Sequence, residues 1–348
     1  MSNSSLRLSR SLREFMGNEV LHLCVSLFFL LVLFGSCATA PKVSFPGENG
    51  EEELSLLPAG AEVYLWVDAV KGRPLLDVLS FDGKSGKDAG KILDSTETAA
   101  AAILHEGQGR RFFLAARGNY PRVRANLSLS FTKGWKKLKG STGNSYWYSK
   151  NDDIALALGS DLVLVSDTDP WEILPAGIPK ETPPAAFMEF RQTMALAGWV
   201  SSPSGSIDSF LSSMGIPLQI PAEELYFGAE RLPADKSSQD APNTAGPQSA
   251  PAGAPWQLVF RVRTPSVNNA RSLLGLFSVA RFFLQRGAIP AAGQDGLSPD
   301  KDSLSPQEAA ALFFANNPEQ DGAFLTFRTA PLDENKIALL FAMFSVNF

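Results

Sequence analysis

Between Val20 and Phe34 the chain reads VLHLCVSLFFLLVLF, an apolar run interrupted only by His22 and Ser26, with Arg7, Arg10 and Arg13 ahead of it and the small residues Gly35 and Ser36 behind. A helix needs roughly 20 apolar residues to cross the hydrocarbon of a bilayer. The run is shorter than that, so residues 1–36 have the pattern of a signal peptide that is removed. Apolar periodicity is absent after it, where Pro41, Pro46, Gly47, Gly50 and the acids Glu48, Glu51, Glu52 and Glu53 alternate. Residues 37–53 therefore read as a flexible, solvated tether, with order beginning near Leu54.

From there the patterning switches to that of a folded chain. AEVYLWVD at 61–68 is rich in β-branched and aromatic residues and predicts a strand; LLDVL after Gly72-Arg73-Pro74 has helical spacing. ALAGWVSSPSGSIDSFLSSM at 195–214 repeats this order and sets Trp199-Val200 against Trp66-Val67 at one offset. A second pair is RRFFLAARGNYPRVRANLSL at 110–129 beside PWQLVFRVRTPSVNNARSLLGLF at 255–277, each a strand ending in Arg (Arg117, Arg263), a turn with proline, then an amphipathic helix. Further strands are expected at Ala99–Glu106 and Glu224–Arg231, and hairpins at Ser145–Asp167 and Ala323–Phe348. The order strand, helix, strand, strand, helix, hairpin occurs twice, which argues for duplication. The fold class this implies is α+β: two similar halves, 54–184 and 185–348, each an antiparallel sheet with helices packed on one face. The stretch 233–255 is low in large apolar residues and reads as a disordered insertion. Residues 286–303 form a second, looser insertion, and Ser305-Pro306 then opens a short helix.

Leu33-Phe34-Gly35-Ser36-Cys37 resembles the lipobox of bacterial lipoproteins, with Phe34 standing where Leu, Ala or Ser is more usual, as in the looser lipoboxes of spirochaetes. That resemblance implies diacylglycerol and an acyl chain such as palmitate on Cys37, and hence tethering to a membrane rather than spanning it. Cys24 would leave with the signal peptide, so Cys37 would be the last cysteine and no internal disulfide could form. The segment LPAGAEVYLWVDA and its repeat resemble, in addition, envelope proteins of unknown function built on a duplicated α+β domain.

Charge narrows the partners. With 31 Lys plus Arg against 36 Asp plus Glu the chain is at −5, and removing residues 1–36 takes it to −6, which excludes a basic nucleic-acid binder and leaves acyl chains as the main expected membrane contact. The chemistry-bearing residue types are sparse. His105 would be the single histidine after processing, no zinc site of His and Cys can be assembled, and no cofactor motif is found. GKSGKDAGK at 83–91 lacks the spacing of a phosphate loop. Ser130-Phe131-Thr132-Lys133 matches the S-x-x-K of penicillin-recognising enzymes without their other motifs. Lys133, Lys136, Lys137 and Lys139, interleaved with Trp135 and followed by Tyr146-Trp147-Tyr148, could touch an anionic polymer or headgroup, although a solvated bend with packed aromatics accounts for them too. Ser272–Leu284 is apolar on more than one side, which suggests deep burial or an apolar groove. The alternating Leu340, Ala342, Phe344, Val346 and Phe348 read as a final core strand.

The expected function is that of a lipid-anchored, non-enzymatic protein of the cell envelope, facing the periplasm or the cell surface. Its partners would be the membrane through Cys37 and an envelope protein or lipid, with no nucleic acid. A carrier of an apolar ligand is the alternative, and a hydrolase using Ser130 or His105 is a third.

Overall fold

The computed structural model describes residues 52–79, 93–106, 109–172, 183–205, 208, 220–233, 255–285, 306–313 and 315–347. The expected signal peptide, Cys37, the phosphate-loop-like 83–91, most of the helix expected after Gly205, and nearly all of both expected insertions lie outside them. The chain divides into two compact units. The first takes Met1–Gln192 with Leu196–Ser201 and Ser345–Phe348; the second takes Thr193–Ala195 with Ser202–Phe344.

In the first unit, β-branched and aromatic runs form the strands β1 (Val63–Asp68), β2 (Thr96–Glu106), β3 (Gly109–Gly118), β4 (Trp135–Lys139), β5 (Ser145–Ser149), β6 (Ile154–Leu158), β7 (Leu162–Ser166) and β8 (Leu196–Ser201). They pair antiparallel in the order β8-β1-β2-β3-β7-β6-β5-β4. IALAL and LVLVS, apolar at every position but one, become β6 and β7, buried at every residue, as expected of strands covered on both faces. The two segments whose likeness suggested duplication lie side by side, Tyr64 opposite Trp199.

Three helices belong here: α1 (Arg73–Leu79), α2 (Arg122–Phe131) and α3 (Ala185–Phe190). α2 drops Ala125 and Leu129 onto Trp147, Ile154, Leu156, Val163 and Val165. Arg117 and Thr98 point to the opposite face by the period-two rule, since Arg117 neighbours Ala116 of that core. There the 3-10 turn Glu53–Leu56 covers the sheet, with Glu53 accepting a hydrogen bond from the Thr98 hydroxyl and lying 3.3 Å from Arg117 Nε. Helices on one face only is thus corrected for this unit. The acidic run also departs from a wholly solvated one: Glu53 is buried, and Glu52 pairs with Arg191, whose guanidinium lies 4.9 Å over the Trp66 ring.

Two further expectations change. The single hairpin at 145–167 is three strands, because Asn151-Asp152-Asp153 makes a turn with Asp153 at φ 52° and Gly159–Asp161 makes another. The segment read as a solvated bend is the edge strand β4.

In the second unit, β9 (Glu224–Arg231), β10 (Trp256–Arg263), β11 (Glu319–Asp321) and β12 (Phe324–Arg328) pair antiparallel in the order β9-β10-β12-β11. Helices α4 (Val267–Gln285), α5 (Pro306–Phe313) and α6 (Glu334–Asn347) accompany them. The C-terminal segment is therefore a helix and not a final core strand. The Asp333 carboxylate accepts the backbone N–H of Lys336 at 2.8 Å, an N-cap that starts the helix, and Ile337 and Leu340 bury three apart. Glu334 in its first turn accepts the Trp256 indole N–H at 3.0 Å. A short apolar run is compatible with either period, and the cap decides it.

Candidate functional site

The residues proposed for catalysis do not assemble. His105 is exposed near the end of β2, cross-strand from Arg110. Ser130 is exposed on α2, and its hydroxyl donates to the Leu127 carbonyl at 2.6 Å, as a serine in the last turn of a helix commonly does. Among the described residues no three His, Cys, Asp or Glu side chains are grouped to hold a metal ion. No helix of the described residues is long and apolar enough to cross a membrane.

What the structure does present is apolar side chain in solvent, grouped along one helix in each unit. In the first, burying Ala125 and Leu129 turns the other side of α2 outward, leaving Phe131 82% and Leu127 58% exposed. The helix is held in that orientation by Asn126, which accepts the Trp147 indole N–H at 2.8 Å, and stopped by Thr132, whose hydroxyl donates to the Ser128 carbonyl. Gly134 then turns the chain at φ +100°, where a Cβ would stand 2.8 Å from the Asn151 amide nitrogen. This delivers β4 beside α2. Alternation along β4 puts Trp135, Lys137 and Lys139 on the α2 face, Trp135 half-buried against the core and the two lysines exposed, with Lys133 exposed in the connecting turn. Lys137 reaches over the Trp147 ring, 6.0 Å from its centroid. Lys136 and Leu138 take the other face.

In the second unit, α4 buries Ala270, Leu273 and Phe277, the last with its ring 4.3 Å from that of Phe327. The opposite ridge carries Ser272, Gly275, Leu276, Val279 and Phe282, with Leu276 45%, Val279 53% and Phe282 47% exposed. Deep burial of this run is thus corrected: one stripe is buried and the other is not. Arg281, its single charge, donates to Asn317.

The sequence reading registered the lysines but missed their setting. From Gly107 to Asn151 the chain has ten Lys and Arg and no Asp or Glu at all, in a protein whose net charge is negative. Within that stretch two of the three arginines of β3 are used internally. Arg117 faces Glu53 and Asp161; Arg111 faces Asp167 and Glu172. Burial, partly offset by Arg111, holds the Asp167 carboxyl above the usual range.

The known proteins to which the chain is similar are envelope lipoproteins. Residues 48–167 match the model of a family described as outer membrane-associated lipoprotein TP0453. The outer membrane protein TP0453 of Treponema pallidum is 28% identical over 105 residues, 30% of this chain and 36% of that one, so the match spans about a third of the relative's length. The resemblance to spirochaete lipoproteins is therefore shown for the first unit. Two crystal forms of TP0453 share the fold, with TM-scores of 0.51 and 0.52 at 15% identity, covering 84% and 85% of this chain and 98% and 100% of theirs.

Proposed function

We propose that the chain is a lipid-anchored envelope protein that acts without catalysing a reaction, held to a membrane by acyl chains on Cys37 and presenting the apolar ridge of α4 to an envelope partner. The named relatives support the envelope and the lipoprotein class. The observation that carries the reading is the ridge Leu276, Val279 and Phe282, about half exposed on a helix whose other stripe is already packed. Exposed apolar surface of this kind marks contact with a protein, a lipid or a membrane. The two-half organisation belongs to the same reading, supported by the order strand, strand, proline turn, helix at β2-β3-α2 and again at β9-β10-α4.

Metabolic labelling with palmitate tests the anchor. Wild type should incorporate label and Cys37→Ala should not; an unlabelled wild type, or a labelled variant, contradicts it. Crosslinking in cells should then capture an envelope partner through position 276 or 279. The alternative, a carrier, draws on the same ridge and predicts a lipid in stoichiometric amount on solvent extraction of the purified protein. An empty protein that takes up no lipid when it is offered argues against the carrier.

A further inference from the structure

We propose that the outer edge of β4 is a docking site for an extended acidic segment of an envelope protein, which joins the sheet as a further antiparallel strand with acid, apolar and acid side chains at successive positions. The ladder to β5 decides which backbone groups look outward. Gly140 donates its N–H to the Asn144 carbonyl at 2.7 Å, and Lys150 donates to the Gly134 carbonyl at 3.4 Å, so the even-numbered residues of the strand and its flanks bond toward β5. Bonding alternates along an antiparallel strand, which turns the N–H and C=O of Lys137 and Lys139 away from β5. Among the described residues these groups have no partner. Trp135 stands in the same row, but its N–H is taken by the Thr132 carbonyl at 3.3 Å. The open edge is therefore Lys137 to Lys139.

Charge selects the occupant. No carboxylate pairs with Lys133, Lys136, Lys137 or Lys139 among the described residues, in contrast to Arg111 and Arg117 of the same acid-free stretch. An incoming antiparallel strand sets one residue directly opposite Lys137 and another opposite Lys139 on the same face, where opposite charges attract and like charges repel. A second copy of β4 is thereby refused, as edge lysines commonly ensure, and the same lysines admit a strand that carries carboxylates. The residue between the two acids stands opposite Leu138, which is 39% exposed and faces Tyr146 on its other side, so an apolar side chain belongs there. A polyanion without this alternation would neutralise the lysines and leave Leu138 and the outward backbone groups unmet. In strand addition the main-chain bonds supply affinity and the alternate side chains supply the choice of partner. The site belongs to the first unit, goes beyond the α4 ridge and the anchor at Cys37, and holds or fails without either.

The test uses the full chain in mild neutral detergent and a short fluorescent peptide that alternates glutamate and valine, with binding read by anisotropy. Saturable binding is expected. A peptide of the same composition with its glutamates consecutive should bind several-fold more weakly. The geometry also fixes which amides matter, because a residue opposite Lys137 or Lys139 exchanges both its N–H and its C=O with the edge. N-methylation at the glutamates should therefore abolish binding, and N-methylation at the valines should leave it. These comparisons use the wild-type chain and need no variant to fold. Lys137→Glu together with Lys139→Glu should weaken binding about tenfold and confer binding of the peptide that alternates lysine and valine, a gain that a misfolded chain would not show. Lys71→Glu, at an exposed lysine elsewhere in the unit, should change nothing. No binding, equal binding of the consecutive-glutamate peptide, equal effects of the two methylations, an equal loss from Lys71→Glu, or a charge-reversed chain that keeps its preference for glutamate would each overturn the proposal. Failure here leaves the α4 ridge to crosslinking through 276 or 279, and the acylation of Cys37 to palmitate labelling.

Discussion

The outer side of α2 and the outer ridge of α4 are alike in one respect and opposite in another. Each exposes leucine and phenylalanine on a helix whose inner stripe packs on a sheet. Around α2 the neighbours are several lysines without carboxylate partners among the described residues, whereas along the α4 ridge they are serine and glycine with the single exposed Arg271. Apolar exposure alone therefore does not define what a surface meets. The neighbours set the dependence on charge: the α2 and β4 corner should respond to a partner's charge and to salt, the α4 ridge to neither.

That contrast depends on both ridges being outside, and the largest expected effect concerns burial. Leu156→Ala, at a fully buried position of β6, should cost about 2–5 kcal/mol. Leu276→Ala should cost less than about 0.5 kcal/mol in the same denaturant titration. A cost at 276 comparable to that at 156 would mean that the α4 ridge is core, and the comparison would collapse. Within the acid-free stretch, Arg117→Met should cost about 3 kcal/mol because it leaves the buried Glu53 without its cation, while Lys137→Gln should be nearly silent. Equal costs would show that Lys137 is spent internally and unavailable to a partner.

A smaller effect comes from salt. Raising ionic strength from about 0.1 M to 1 M shortens the Debye length from about 10 Å to 3 Å, which should suppress binding of the acidic peptide at β4 and leave partner contact at 276 intact. The smallest concerns pH. Because the folded state holds Asp167 above the usual carboxyl range, it binds a proton there more readily than the unfolded chain does. Its favourable contribution is present below the ordinary aspartate value and is lost as pH rises through the raised one. Asp167→Asn should flatten that part of the stability profile, and an unchanged slope would remove Asp167 from the network around Arg111.

Much of the fold could be read from the residues. The strands at 61–68, 99–106 and 224–231 and the helix starts after Pro121 and Pro265 stand where period and turn chemistry put them. What was illegible had physical causes. Among the described strands Trp135–Lys139 is paired along one edge only, so lysines at successive positions mask its period. The C-terminal run satisfies alternation and helical spacing together, and Asp333 as N-cap is the signal that separates them. Glu53 looks solvated beside Glu48, Glu51 and Glu52, and only the sheet brings Arg117 and Thr98 to it. For the candidate surfaces, Phe131 was visible merely as part of an S-x-x-K match, and the helix around Leu276 as uniformly apolar. Which side is buried is decided by the strands beneath, and that pairing is not local. The charge signal was legible all along, as a stretch of cations without a single acid, but a count of net charge averages it away.

The most direct measurement places the same photocrosslinking residue at position 138 in one sample and position 276 in another, and offers each the peptide alternating glutamate and valine and then the one alternating lysine and valine. The account predicts that 276 treats the two alike and that 138 captures only the glutamate peptide, losing it in high salt. Identical behaviour at the two positions would contradict it.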